Sequence, residues 1–141
     1  DKNITFEWAN DELTRQNSFD CNPISFETHS MWFDSKINNK NSFYYMSELN
    51  GNPVGLVRFD TKDNKLIIGI TISQKYRGQG LSSKLLRDAC DIVRKKSKLP
   101  IVALIKKENI PSLKSFEKAG FKFQNEIKIN DIESYEYLYQ K

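Results

Sequence analysis

The feature that most constrains this 141-residue chain is a turn with two glycines between a strand-like run and a helix-like run. Residues 65–73 read KLIIGITIS, where β-branched residues dominate, and residues 85–93 read LLRDACDIV, where apolar residues recur at helical spacing. In the turn itself, Gly78 and Gly80 let backbone amides converge, and the following helix adds the partial positive charge of its N-terminus. We therefore expect the turn either to bind a phosphate group or to be an ordinary connection whose glycines supply unusual dihedrals.

Two common phosphate-binding motifs do not fit this turn. A dinucleotide fingerprint would need a third glycine where Ser83 stands, and an acidic residue after the next strand, where the chain has Lys106. A nucleotide P-loop needs the order Gly-Lys-Ser/Thr, whereas this chain reads Ser-Ser-Lys. What remains is a general phosphate turn, to which Arg77 can add a bidentate contact.

Length and composition predict that residues 1–141 form one globular domain. The net charge is +4, but the basic residues are dispersed apart from residues 94–98 and Lys106-Lys107, which we expect to be solvated surface. No aromatic–basic stripe, apolar membrane span or signal peptide is visible, so we expect no nucleic-acid or membrane partner and a cytoplasmic location. Cys21 and Cys90 form no metal pattern or disulfide framework, and we expect no bound metal.

The periodicity of the chain predicts an α+β or mixed α/β fold with a central βαβ unit. The predicted helices cover residues 8–19, 26–37 with Ser25 as N-cap, 81–96, and 111–119 closed by Gly120. The predicted strands cover residues 42–49 and 54–60 around the Asn50-Gly51 turn, then 65–73, 99–105, 121–124 and 135–139.

Together with residues 99–121, the glycine turn resembles the GNAT superfamily of N-acetyltransferases. The family signature Arg/Gln-x-x-Gly-x-Gly/Ala is matched by residues 77–82, with Ser82 at the last small position. The downstream Asn, small residue, aromatic residue and Lys-x-Gly-Phe of the family are similar to Asn109, Ser112, Phe116 and residues 118–121. The resemblance covers residues 43–124 and implies a mixed, mostly antiparallel sheet whose central βαβ unit binds acetyl-CoA.

The resemblance also implies a set of site residues. The turn would hold the pyrophosphate of acetyl-CoA, and amides near Ile72 would bind the thioester oxygen. The implied cofactor-binding residues are Ile70, Ile72, Arg77, Gly78, Gln79, Gly80, Leu81, Ser82, Ser83, Asn109, Ser112, Phe116 and Lys118. Phe116 stands where the family usually has a tyrosine acid, so we expect a slower enzyme or a substitute acid. Ser73 is a candidate proton relay, and Tyr135, Tyr137 and Tyr139 are candidate replacement acids as well as sheet residues.

The first third of the chain resembles the subfamily that acetylates the 4-amino group of nucleotide-linked amino sugars, on the way to pseudaminic and sialic-acid-like sugars. The matching features are Trp8, Asn10, Arg15, Ser18, His29, Trp32 and Phe33. Asn10, Arg15 and His29 are the implied substrate residues, although His29 is equally a core histidine on an apolar helix face. Where relatives have Trp-Arg-Asn, this chain has Trp-Ala-Asn and lacks the arginine.

The resemblance leaves three functions open. The first is acetylation of a small-molecule amine, a nucleotide-linked amino sugar, by an enzyme that could be a homodimer. The second is acetylation of protein N-terminal amines, as in the ribosomal-protein type, and the third is an acyl-CoA-binding module without turnover. Since relatives begin a strand earlier, we also expect this sequence to start late and to be excised from a longer protein.

Overall fold

The six strands form one sheet in the order β1-β2-β3-β4-β6-β5 in a computed structural model, which describes residues 2–20, 22–37 and 41–140. Only the β3–β4 pair is parallel, which confirms the predicted mixed, mostly antiparallel sheet. In chain order the elements are α1 (Lys2–Ala9), α2 (Glu12–Asn17), α3 (Phe26–Ile37), β1 (Ser42–Leu49), β2 (Asn52–Lys62), β3 (Lys65–Ile72), α4 (Leu81–Arg94), β4 (Ile101–Lys106), α5 (Ile110–Ala119), β5 (Phe121–Ile129) and β6 (Ile132–Tyr139).

The N-terminal region forms two helices where the sequence predicted one. Helix α1 ends at Ala9, and Asp11 then caps α2, because its Oδ2 accepts a hydrogen bond from the Thr14 amide at 3.1 Å. The predicted cap of α3 is confirmed, since the Ser25 Oγ accepts from the Thr28 amide at 3.1 Å. None of the described helices is long and apolar enough to cross a membrane.

Three tight hairpin turns organise the antiparallel strands. The predicted Asn50-Gly51 turn is confirmed, with φ of 52° and 82°, and Asp63-Asn64 forms a similar turn between β2 and β3. The third turn, at Asn130-Asp131, lies between the two last predicted strands, which are longer than the alternation indicated. Because most of β5 is exposed, its sequence carries little of the alternation that marks a half-buried strand.

The two faces of the sheet carry different layers. Helices α4 and α5 cover the face of Val57, Phe59 and Ile68, where they form the main core. Cys90 belongs to this core, whereas Ile92 of the same helix is 42% exposed. Helices α1 and α3 contact the sheet as well, and Trp32 of α3 packs edge-on against Tyr44 of β1, on the opposite face from Tyr45 and Phe59.

The parallel pair at the centre of the sheet separates partway along its length. Its ladder joins Leu66, Ile67 and Ile68 to Ile101, Val102 and Ala103, and both strands are fully described. Beyond this point β4 stays paired with β6 as far as Lys106, whereas β3 stays paired with β2 as far as Ile72. The two strands therefore diverge, and the sheet opens at its centre.

Candidate active site

A cleft of about 1010 Å³ occupies the opening between β3 and β4. Its walls come from α2, both strands, the glycine turn with the start of α4, and α5. Twelve of the predicted cofactor-binding residues line it: Ile70, Ile72, Arg77, Gly78, Gly80, Leu81, Ser82, Ser83, Asn109, Ser112, Phe116 and Lys118. The cleft thus brings together two motifs that lie about thirty residues apart in the chain.

The glycine turn presents free backbone to this cleft. Gly78 and Gly80 have φ of 77° and 72°, a left-handed conformation that side chains disfavour. Gly80 is the N-cap of α4 and provides no side-chain cap, so no cap side chain occupies the first amides of the helix. A Cβ built at either glycine would meet no described atom within 4 Å, so open space lies in front of the turn. This arrangement suits an anionic group.

Arg77 lines the cleft, but its side chain is engaged by other residues of the chain. Its Nη2 lies 2.7 Å from Asp11 Oδ2 and donates to Thr14 Oγ1 at 3.2 Å, while its Nε donates to the Ile72 carbonyl at 3.1 Å. Burial raises the pKa of Asp11, but hydrogen bonds from Arg77 and Thr14 and the charge of Arg77 outweigh it, so the pKa lies below the usual 3.8. Arg77 thus connects the start of α2 to the turn, and its bidentate contact with a phosphate stays a prediction.

Lys106 fastens the other end of α2. It is only 3% exposed at the end of β4, and its Nζ donates to the Gln16 carbonyl at 2.9 Å. The expectation that Lys106 belongs to a solvated basic cluster is wrong, although its neighbour Lys107 does form ion pairs with the well-exposed Glu126 and Glu133. Its position in the sequence could have indicated burial. Side chains of a strand alternate between the two faces of the sheet, and Lys106 is the last residue of β4, a strand that is buried along most of its length.

The α5 side of the cleft follows the sequence prediction closely. Asn109 caps α5, with its Oδ1 accepting from the Ser112 amide at 3.4 Å, and Gly120 ends the helix at φ 109°. Phe116 is 3% exposed and packs edge-on against Phe121, with ring centroids 5.0 Å apart. An aromatic ring thus stands in the wall where the family places a phenol.

Of the site residues predicted in and next to the glycine turn, Gln79 and Ser73 do not line the cleft. Gln79 is exposed, and its Nε2 donates to the Lys75 carbonyl at 3.3 Å. Ser73 caps the short 3-10 turn Gln74–Tyr76, and its amide donates to the Val54 carbonyl at 2.8 Å. The side chain of Ser73 therefore remains only a predicted proton relay.

The three predicted substrate residues lie in the N-terminal helical layer and not in the cleft wall. Asn10 bridges to Ile24 through two 2.6 Å hydrogen bonds, and Arg15 donates to the carbonyls of Asp20 and Asn22 at 3.1 Å each. His29 is 3% exposed and lies 2.9 Å from Thr5 Oγ1.

The environment of His29 is that of a neutral core histidine. Its ring packs among Phe6, Trp32 and Phe33, with centroids 5.3–6.2 Å apart. Burial lowers the pKa of His29 below 6.5, a backbone hydrogen bond with Lys2 opposes this effect, and the charge of Lys2 adds to it. Its contacts, like those of Asn10 and Arg15, shape the helical layer from within.

Of the tyrosines considered as replacement acids, none lines the described cleft. Tyr137 donates to Glu117 at 3.3 Å, Tyr139 packs on Phe121, and Tyr135 packs on Phe123. Tyr76, which sequence reasoning missed, does line the cleft beside the glycine turn. Its position could have indicated this, because Tyr76 directly precedes Arg77, the first residue of the family signature.

Comparison with known proteins identifies the family. The model of the acetyltransferase (GNAT) family matches residues 5–121. The chain belongs to this family. It is 32% identical over 114 residues to a Bacillus subtilis (strain 168) protein named "Putative phosphinothricin acetyltransferase YwnH", a match that covers 77% of this chain and 69% of YwnH.

Solved GNAT structures share the fold at low sequence identity. The aminoglycoside acetyltransferase AAC(6')-Ib with paromomycin and acetyl-CoA has a TM-score of 0.84 at 18% identity, covering 100% of this chain and 88% of that one. Spermidine N-acetyltransferase from Vibrio cholerae with CoA and spermine has a TM-score of 0.85 at 17% identity, covering 98% and 88%.

This GNAT protein is an N-acetyltransferase whose cosubstrate is acetyl-CoA. Acetyl-CoA supplies an acetyl group activated as a thioester. The glycine turn and the first amides of α4 are suited to hold its phosphates, and the main chain of β3 beyond Ile68 faces the cleft where the thioester is expected. Lys114 and Lys118 of α5 add positive charge to the cleft wall.

Proposed function

We propose that this enzyme acetylates the amine of a nucleotide-linked amino sugar. The observation that carries the proposal is the charge of the cleft. Among its described lining residues, Arg58, Lys114 and Lys118 are cations without the carboxylate partner that Arg77 has in Asp11, and Glu108 is the one carboxylate. Such a surface attracts an anionic acceptor, for instance one with a pyrophosphate, and repels a cationic one.

The same charge argues against the acceptors of the solved relatives. Paromomycin and spermine each carry several ammonium groups, which would approach the cations of this cleft at close range. The resemblance of residues 8–33 to the sugar-nucleotide subfamily adds independent support. We expect the matching residues to influence acceptor binding indirectly, by determining the shape of the helical layer. The acceptor amine must reach the cleft uncharged, so that its lone pair can attack the acetyl carbon.

A second candidate acceptor is an anionic amino acid. Phosphinothricin, in the name of the relative YwnH, is an amino acid with a phosphinate group. The excess of cations in the cleft favours this class for the same reason that it favours a sugar nucleotide. The two candidates differ in size, so a direct comparison of rates separates them.

The test is thiol release from acetyl-CoA with a panel of amines at equal concentration. We expect kcat/KM for a UDP-linked 4-amino sugar to exceed that for kanamycin or spermidine at least 100-fold. A preference for the polycations would contradict the proposal, and a preference for phosphinothricin would select the second candidate. Turnover with peptide N-termini alone would favour the protein-acetylating alternative, and CoA binding without turnover would favour the non-catalytic module.

A further inference from the structure

We propose that Arg58 binds an anionic group, a carboxylate or a phosphate, on the acceptor amine. Arg58 lies in the middle of the interior strand β2, paired with Gly69 of β3 on one side and with Tyr44 of β1 on the other. Arg58 lines the cleft close to the point where β3 and β4 separate. Its partner Gly69 directly follows Ile68, the last residue of β3 that pairs with β4. The Arg58 side chain is half-buried there, so its attraction to an anion is screened less than that of a fully exposed arginine.

Gly69 provides the space in which the Arg58 side chain lies. A Cβ added to Gly69 would stand 2.6 Å from Cζ, 2.7 Å from Nη2 and 3.0 Å from Nε of Arg58. These separations are shorter than any real contact, so the guanidinium occupies the volume that a side chain at position 69 would take. The arginine is therefore held flat against the sheet at the edge of the cleft.

The guanidinium has donors to offer a ligand. Within the described residues Arg58 forms no hydrogen bond and no ion pair, in contrast to Arg77, which contacts three groups. The buried hydroxyl of Tyr44, its neighbour in the ladder, likewise has no hydrogen-bond partner among the described residues. A planar fork of five N–H donors matches a carboxylate or phosphate edge-on.

The position of Arg58 separates it from the phosphate turn. Side chains alternate along β2, so Arg58 points away from Val57 and Phe59, which pack in the core with Leu86 and Cys90 of α4. The glycine turn leads into α4, whereas Arg58 is on the face that carries α1 and α3. The geometry therefore points to the acceptor and not to the phosphates of acetyl-CoA as the ligand of Arg58.

This inference rests on the proposed function in one respect, because both require a negatively charged acceptor. The experiment uses the chain saturated with CoA, so that the cofactor groove is filled, and measures by calorimetry the binding of a UDP-linked 4-amino sugar and of phosphinothricin. For the probe that binds the parent protein, we expect Arg58→Gln to lower the affinity by about 10- to 100-fold, which corresponds to the loss of one charged hydrogen bond. Arg58→Lys should retain part of the affinity, since it keeps the charge but loses the fork.

Gly69→Ala is the sharper variant, because it leaves every charge in place. The added Cβ meets only the mobile end of Arg58, so we expect the protein to fold normally while the guanidinium is displaced. Its loss of affinity should approach that of Arg58→Gln, and the double variant should be no weaker than Arg58→Gln alone. The matched control is Lys122→Gln on the exposed part of β5, which removes one positive charge and should bind as the parent does.

Several outcomes would overturn the inference. They are the absence of saturable binding of both probes to the parent protein, equal affinities in parent and variants, and a loss of CoA affinity in place of acceptor affinity. The two proposals fail separately. If phosphinothricin binds through Arg58 and the sugar nucleotide does not bind, the proposed acceptor is wrong. If the sugar nucleotide binds parent and variants alike, the role of Arg58 is wrong.

Discussion

The glycine turn and helix α2 form facing parts of one cleft, yet they are built in different ways. The turn is made by the backbone, because two left-handed glycines and an uncapped helix start leave amides directed at open space. Helix α2 has six residues, too few to be stable alone, and is attached by side chains from distant strands and turns. The two parts therefore differ in what holds them: the turn depends on local backbone chemistry, and α2 depends on tertiary contacts.

The largest effect should come from breaking the turn. Gly80→Val should weaken CoA binding at least 100-fold by calorimetry, because the β-branched side chain disfavours the left-handed conformation and projects into the space in front of the amides. Gly51→Val is the matched control, since Gly51 has a similar φ of 82° and open surroundings in a distant hairpin. Similar CoA affinities for the two variants would mean that the turn does not hold the cofactor.

A smaller effect should come from weakening the attachment of α2 while the glycine turn is left unchanged. Asp11→Asn keeps an oxygen that can cap α2 but removes the charge beside Arg77. We expect KM for the acceptor to rise three- to tenfold while KM for acetyl-CoA stays within twofold. Asp88→Asn, in the exposed pair with Lys84, should change neither constant. A rise in KM for acetyl-CoA alone would return Arg77 to the phosphate site.

The next effect in size is a pH dependence of the free energy of unfolding, and it comes from His29 in the helical layer. Because burial lowers the folded-state pKa of His29 below 6.5, the unfolded chain binds more protons near that pH. The stabilising contribution is complete above pH 6.5 and is lost as pH falls through the folded-state pKa, by at most about 1.4 kcal/mol per pH unit.

Thermal unfolding of the parent and of His29→Gln at pH 7.5 and pH 5.5 measures this contribution. We expect the variant to lose that part of the pH dependence and to leave the ratio of the two Michaelis constants unchanged. A selective rise in KM for the sugar nucleotide at unchanged melting temperature would instead make His29 a substrate residue.

The smallest effect should come from restoring the family's phenol. Phe116→Tyr adds a hydroxyl to a ring that lines the cleft, and we expect kcat to stay within about threefold of the parent or to rise. Tyr76 already lines the same cleft, so a second tyrosine is expected to add little. A loss beyond tenfold in a folded, CoA-binding variant would show that the apolar ring itself is needed.

The glycine turn and the ends of α5 could be predicted from sequence because their determinants are local. Gly78 and Gly80 are in the turn that they shape, and Asn109 is three residues from the amide that it caps. The attachment of α2 could not be predicted in this way, because Lys106 contacts a carbonyl 90 residues earlier and Arg77 contacts Thr14 across 63 residues. No periodicity encodes such pairs, so the contact of Lys106 with α2 could not be predicted, and a phosphate contact by Arg77 stays a prediction.

The attachment of α2 has a consequence for how acceptor preference can change. One of its two anchors is a main-chain carbonyl, at Gln16, which any residue would offer to Lys106 equally well. The other anchor is Arg77, which contacts Asp11 and the Thr14 hydroxyl. Leu13 and Asn17 also line the cleft, but they take no part in attaching the helix. These two positions are therefore the natural sites for randomised libraries, because substitutions there change the α2 wall of the cleft while the contacts that attach the helix are kept.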